Sequence, residues 1–369
     1  MNIAIDIREA AGEKTGKGWY VFNIVRALLK IDQKNHYILL TKAKIPGLDQ
    51  FSNARQLEIN SPSLLWHHKA ASIIKANADL FFAPTSFITP SLLPKDFPIL
   101  LTIHDLVAFL FPANHKKKAV LIEKLFLRRA LKKASAITTV SDHTKKDLLK
   151  LFHCDPASVH SIPNDCSADF HPLKGEQLIA LKDFAKKTNL PAKFFLSVGT
   201  LEPRKNYEKL IEAMKLLAEK HPDTHLIIVG GEGWGSEKIY QAVKDNYLSK
   251  RVHFLGYLSN KSLLNLYNLA VGFVFPSKYE GFGIPPLEAM RCGCPVIASK
   301  SSSIPEVVGD GGLYIDPDSA KEIAAQMSKL ISDNDLRKEM IRKGLSQSQK
   351  FSWEASAQKL LQIMEGLVN

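Results

Sequence analysis

The stretch Ala270-Val-Gly-Phe-Val-Phe-Pro-Ser-Lys-Tyr-Glu-Gly-Phe-Gly-Ile-Pro-Pro-Leu-Glu288 runs from an apolar segment through a glycine-bounded turn into a proline-led helix start. Ala270 to Phe275 is short, aromatic and β-branched and stops at Pro276 and Ser277, which predicts a buried parallel strand. Pro285 and Pro286 preset φ and lack N–H groups that a first helical turn leaves unpaired. A helix is therefore predicted from Pro285 to Arg291, with Glu288 on its exposed first turns. Glu280 falls in the loop at the strand's carboxyl edge. Glycines 281 and 283 allow close backbone approach to a ligand, and the N–H groups around Phe282, Gly283 and Ile284 face outward at the helix start. Two carboxylates beside such N–H groups can grip a polyol. Taken alone, the pair is equally a solvated loop acid and an acid favouring the helix dipole.

The same strand-then-helix alternation fills both halves of the chain. Ile3 to Ile7, His36 to Leu40, Leu80 to Ala83, Ile99 to Ile103 and Ala136 to Val140 read as strands of the first half. Phe194 to Val198, Leu226 to Val229, Val252 to Leu255, Val271 to Phe275 and Pro295 to Ala298 repeat the pattern in the second. This predicts an α/β chain of two doubly wound, Rossmann-like domains. A length of 369 residues also exceeds what one core usually serves. The proline-bearing stretch Pro163 to Leu173, ahead of the helix-prone Gln177 to Lys187, marks the boundary, giving domains 1–171 and 172–352. Ligands of such sheets bind beyond the carboxyl ends of the strands, so two facing sheets would share one cleft.

Apolar residues make up 45% of the chain, and no apolar run reaches the roughly 18 to 20 residues a bilayer span needs. The start Met-Asn-Ile-Ala-Ile-Asp lacks a signal-peptide layout, and Cys154, Cys166, Cys292 and Cys294 form no spaced metal or disulfide framework. Reduced packing thiols in a cytoplasmic protein are expected. The net charge of +12 is uneven: residues 1 to 170 hold 23 Lys and Arg against 15 Asp and Glu, a balance of +8, which leaves +4 for the rest. The excess peaks in 115–134, where Lys116, Lys117, Lys118, Lys124, Arg128, Arg129, Lys132 and Lys133 face one acid, Glu123. Leu121, Ile122 and Leu125 fall among the basic residues on a helical wheel. Either anionic lipid or a neighbouring part of the protein would cover them. Without interleaved aromatics, this run argues against a nucleic-acid partner.

The 276–290 segment Pro-Ser-Lys-Tyr-Glu-Gly-Phe-Gly-Ile-Pro-Pro-Leu-Glu-Ala-Met resembles the signature of retaining, nucleotide-sugar-dependent glycosyltransferases of family 4, which have the GT-B fold. Further matches are Thr-Gly-Lys-Gly-Trp-Tyr (15–20), Thr-Ile-His-Asp-Leu (102–106), Thr-Val-Ser-Asp-His-Thr (139–144) and Ser-Val-Gly-Thr-Leu-Glu-Pro-Arg-Lys-Asn (197–206). Ile-Ile-Val-Gly-Gly (227–231) and Val-His-Phe-Leu-Gly-Tyr (252–257) complete the series. The wording around 15–20 and 102–112 is most similar to bacterial mannosyltransferases of surface polysaccharide synthesis.

The resemblance implies a role for each strand end. Gly16, Lys17 and Gly18 lie between the first strand and a helix over Trp19 to Leu29, where backbone N–H groups meet a phosphate or sugar. His104 would stand by the transferred sugar, with Asp105 in support. Arg204 and Lys205 would neutralise the leaving diphosphate, the task of a divalent metal elsewhere, so no metal or other cofactor is expected. The turn Gly256-Tyr257-Leu258 would hold the nucleobase, Glu288 the ribose, and Glu280 with the N–H groups of residues 282 to 284 the sugar. The last helical stretch, 353–369, would return to the first domain.

Three positions depart from the family's pattern or imitate another. Thr200 replaces a common arginine, Asp165 replaces glycine in a turn and needs a left-handed conformation there, and Asp316-Pro-Asp318 reads as a turn and helix cap. The implied reaction moves a hexose, mannose by the closer match, from a GDP- or UDP-sugar to a glycan or lipid-linked hydroxyl. A nucleotide-sugar epimerase or a phosphorylase of the same fold is the alternative.

Overall fold

A computed structural model describes residues 1–12, 14, 16–111 and 117–368, apart from the side chains at 64 and 117–119. Thr15 of the 15–20 motif, and His115 and Lys116 at the head of the basic run, lie outside the described residues, as do the side chains of Lys117 and Lys118. The chain forms two compact units, Met1–Asp165 with Phe351–Asn369, and Cys166–Lys350. The first break falls inside the proline-bearing stretch but earlier than residue 171. Asp165 does not have a positive φ, so the left-handed turn expected there is not formed.

The first unit holds seven parallel strands, β1 (Asn2–Asp6), β2 (His36–Thr41), β3 (Ala54–Glu58), β4 (Leu80–Ala83), β5 (Ile99–Ile103), β6 (Ala136–Thr139) and β7 (Val159–Ser161). Their spatial order is β3-β2-β1-β4-β5-β6-β7. The second unit holds β8 (Phe194–Val198), β9 (His225–Val229), β10 (Val252–Phe254), β11 (Gly272–Phe275), β12 (Val296–Ser299) and β13 (Gly312–Ile315), in the order β10-β9-β8-β11-β12-β13. In each sheet the strand order reverses beside the first strand, between β1 and β4 and between β8 and β11. Such a reversal opens a crevice at the carboxyl ends, where this topology binds ligands.

Helices cover both faces because the strands are apolar on both. β4, β5, β8 and β11 are buried along their whole length. Phe81, Leu101, Trp66 and Leu127 belong to the core of the first unit, and Phe195, Ile228, Val274 and Met214 to that of the second.

The helix Gly16–Ile31 begins earlier than the expected Trp19, so Gly16, Lys17 and Gly18 form its first turn. Gly18 is buried, and a Cβ there would sit 2.4 Å from the Glu9 carbonyl oxygen. Its glycine serves close packing of the helix on the preceding turn. The final helix, Trp353–Gly366, packs along Gly16–Ile31, with the Trp353 ring 5.9 Å from Tyr20 and the Ser356 hydroxyl donating to the Pro163 carbonyl at 2.7 Å.

Candidate active site

In the second unit, the reversal between β8 and β11 gathers the residues singled out at 204–205 and 280–288. The turn after β8 is a short 3-10 helix, Pro203–Lys205, and Asn206 follows in a left-handed conformation before the helix Tyr207–Lys220. The Asn206 amide fixes this corner by donating to the carbonyls of Pro276 and Pro317 at 3.2 and 2.6 Å. Arg204 and Lys205 are thereby turned toward the end of β11.

Glu280 waits there, buried. Lys205 Nζ lies 2.6 Å from its Oε1 and Arg204 Nη1 2.9 Å from its Oε2, while the Ser277 hydroxyl donates to Oε1 at 2.6 Å. Arg204 also pairs with Glu202 and donates to the Tyr279 carbonyl. Burial alone would push the Glu280 carboxyl up, but Lys205 and Arg204 together hold it down at about 2. Glu280 is therefore the shared counter-ion of both cations and not a solvated loop acid.

The loop carrying Glu280 is pinned by serines after β12. Ser302 Oγ accepts from the Glu280 N–H at 2.8 Å, and Ser303 Oγ bonds the carbonyls of Glu280 and Phe282 at 2.9 and 2.7 Å. Gly283 follows with φ of 116°, a conformation that favours glycine, and the helix Ile284–Arg291 starts at the next residue. Pro285 and Pro286 carry no N–H, so the outward-facing donors of this turn are few and lie beside Glu280.

Glu288 stands on this helix, but not on an exposed face. It is half-buried and accepts a 2.9 Å hydrogen bond from Tyr267 on the helix Asn260–Leu269. Burial pushes its carboxyl up to about 7, with the Tyr267 hydroxyl opposing the shift. The turn after β10 is open: Gly256 has φ of 64°, Tyr257 is exposed and Leu258 half-buried. Asp316 Oδ1 accepts from the Asp318 N–H at 2.9 Å, as an ordinary turn does, while Ser319 rather than Asp318 caps the following helix. Cys292 and Cys294 are buried free thiols.

In the first unit, His104 ends β5. Its Nε2 is 2.7 Å from the Pro84 carbonyl oxygen and must donate to it, which leaves Nδ1 as the acceptor of a neutral ring. The Tyr20 ring lies edge-on to the imidazole at 4.6 Å. Burial and the Lys17 ammonium hold the imidazole down at about 4, so it stays neutral at physiological pH. Asp105 Oδ1 accepts from the Val107 N–H at 3.1 Å and shapes the turn after β5.

Residues 180–347 match the model for glycosyl transferases group 1, and residues 16–165 match that for glycosyltransferase family 4. Over 306 residues the chain is 33% identical to O-antigen chain mannosyltransferase B of Escherichia coli, covering 82% of this chain and 79% of that protein. The chain belongs to the family 4 glycosyltransferases. Serotype-specific mannosyltransferase WbdA of Escherichia coli is 34% identical over 230 residues, which are 61% of this glycosyltransferase and 28% of that longer protein. Anabaena HepE, solved in complex with UDP-glucose, matches the fold with a TM-score of 0.80 at 19% identity, over 99% of this chain and all of that one. The two doubly wound units are thus those of the GT-B class.

Several groups that shape the glycosyltransferase's sites carry no sequence signal of their own. Ser302 and Ser303 sit in a serine-rich loop that reads as a turn, and their aim at Glu280 depends on β11 and β12 being neighbours, while Ser277 reaches Glu280 within its own loop. Asp6, at the end of β1, and the half-buried Arg8 form a pair at 2.7 Å, with the guanidinium 3.7 Å above the Trp66 ring and 3.5 Å from His67. The spacing Asp6-Ile-Arg8 at a strand end is the one signal that could have found them.

Proposed function

We propose that this glycosyltransferase moves mannose from a nucleoside diphosphate sugar, GDP-mannose or its UDP counterpart, to a hydroxyl of a lipid-linked glycan, with retention of configuration. The observation that carries this is the pairing of Arg204 and Lys205 on Glu280 at the strand reversal of the second unit. Two cations held by a shared carboxylate are preset for a diphosphate, whose oxygens can replace Glu280 as their partner. Their approach frees Glu280 oxygens for sugar hydroxyls, beside the N–H groups of residues 282 to 284. Glu288 takes the ribose, and Tyr257 and Leu258 border the base. Mannose and a surface glycan are favoured because O-antigen chain mannosyltransferase B is so named.

In the transfer, the bond from the sugar's anomeric carbon to the diphosphate oxygen breaks, and the acceptor oxygen bonds to that carbon on the same face. The acceptor proton passes to the leaving phosphate, whose charge Arg204 and Lys205 carry. No bound metal enters this scheme. A thermal-shift panel of GDP-, UDP- and ADP-sugars at millimolar concentration tests the donor site. GDP-mannose is expected to raise the melting temperature by a few degrees, as about 2 to 3 kcal/mol of ligand stabilisation would. No shift with any sugar nucleotide overturns the assignment.

The enzyme would work at the cytoplasmic face of a membrane. In the helix Lys117–Lys133, Leu121 is 68% exposed, Leu125 49% and Ile122 39%, among Lys124, Arg128 and Arg129. No helix of the described residues is long and apolar enough to cross a membrane. Aliphatics projecting from a basic surface fit peripheral contact with anionic lipid.

A further inference from the structure

The strand reversal of the first sheet, between β1 and β4, carries a side-chain cluster that the donor site does not use. Asp6 ends β1 and Arg8 follows it; His67 stands near the start of the helix Ser63–Asn77 that leads into β4, and Thr89 follows β4 in the helix Ile88–Leu92. The Arg8 guanidinium donates from Nε to Asp6 Oδ1 at 2.9 Å and from Nη2 to Oδ2 at 2.7 Å, a bidentate pair with a buried carboxylate. The guanidinium carbon lies 3.7 Å from the centre of the buried Trp66 ring. Trp66 Nε1 is buried with no hydrogen-bond partner among the described residues, so the ring serves the cluster through its face. His67 Nδ1 is 2.7 Å from Thr89 Oγ1, and Nε2 is 3.5 Å from Arg8 Nη1. A guanidinium has no lone pair to offer, so Nε2 is the acceptor of that contact and Nδ1 carries the ring proton. His67 thereby ties a residue after β1 to a residue after β4, across the reversal where this topology binds ligands.

The protein holds this guanidinium firmly and leaves part of it unspent. Asp6 takes one N–H from each of Nε and Nη2, and the contact from Nη1 to His67 is at the outer limit of hydrogen bonding. The Arg8 side chain keeps 17% of its surface exposed, so a ligand at the carboxyl edge can reach it. Asp6 balances its charge within the pair, which favours a neutral hydroxyl over a phosphate as the ligand. We propose that Arg8 binds a hydroxyl of the acceptor's terminal sugar, donating from Nη1 to the hydroxyl oxygen, with Asp6, Trp66 and His67 holding the guanidinium in place. This rests on the glycan acceptor proposed above and names the residue of the first unit that recognises it. Arg8 is the group that touches the sugar; Asp6, Trp66 and His67 are buried and act as positioning residues.

The test is initial-rate kinetics with GDP-mannose as donor, and with octyl α-D-mannopyranoside and its monodeoxy analogues as acceptors. With the unaltered enzyme, the deoxy analogue lacking the partner hydroxyl should show an acceptor KM raised about tenfold or more, the loss expected for a hydrogen bond to a charged group. Arg8→Lys keeps a cation opposite Asp6 but loses the planar fork. It should raise the acceptor KM of the full mannoside about tenfold, leave the donor KM within about twofold, and add no defect on that one analogue. Asp6→Asn combined with Arg8→Gln removes both charges together, so no buried charge is left unpaired, and should show the same relief on the same analogue. An unchanged acceptor KM in both variants, or a defect of equal size on every analogue, overturns the assignment, because a purely structural contact does not discriminate among hydroxyls. Donor binding without transfer to any mannoside by the unaltered enzyme overturns the glycan-acceptor reading, and the part of Arg8 with it.

Discussion

Glu280 is the residue on which the proposed donor site turns, because one buried carboxylate balances two cations. Glu280→Gln leaves Arg204 and Lys205 without their shared counter-ion and should lower stability by about 3 kcal/mol, as breaking a buried ion pair does. The freed cations should still bind GDP at least as tightly as before, while transfer falls by about a hundredfold or more. Chemical denaturation, GDP titration and rate measurement on one preparation check all three. Glu288 behaves oppositely with pH. Its folded pKa, raised to about 7, means that its stability contribution is full below its ordinary value of 4.5 and is lost as pH rises through 7. Glu288→Gln should therefore be more stable than the parent at pH near 8, by about 1 to 3 kcal/mol, and less so near pH 5. Melting curves across that range decide it. Both carboxylates were legible as a pair from glycine and proline spacing alone. Their environments were not, because Tyr267, Ser302 and Lys205 reach them only through tertiary packing.

At the level of elements, periodicity located the apolar strands and missed the polar ones. β4, β5 and β8 match the predicted bounds, since each is a mainly apolar run that is buried along its whole length. β3, Ala-Arg-Gln-Leu-Glu, and β7, Val-His-Ser, lie at the two edges of the first sheet, where one flank is unpaired and polar residues are tolerated. The basic helix was also predicted, but its pattern alone could not say whether Leu121, Ile122 and Leu125 would be covered; the structure turns them outward. Leu121→Asp combined with Leu125→Asp should weaken binding to vesicles of mixed phosphatidylglycerol and phosphatidylcholine by about tenfold or more, with little change in melting temperature. Binding of the unaltered protein should also fall as salt rises. Flotation assays that show no binding to anionic vesicles, or equal binding by the variant, contradict the lipid contact.

Across the whole molecule, the two units repeat one topology and use it for different chemistry. Each reverses its strand order beside its first strand, so both place side chains from loops and helix starts at a carboxyl edge. The first edge carries a neutral imidazole; the second carries a cation pair and its counter-ion. This division was readable in advance because the motifs fall at predicted strand ends. The domain break was less so: the chain leaves the first unit at Asp165, ahead of the expected residue 171, whereas the expected return of 353–369 is made by the packing of Trp353–Gly366 on Gly16–Ile31. Calorimetric titration of GDP-mannose into the unaltered enzyme and into Lys205→Met tests the donor site most directly. Saturable binding by the first, weakened about tenfold or more in the second through loss of a charge-assisted contact, is the predicted result. Equal affinity in both, or no binding in either, would contradict it.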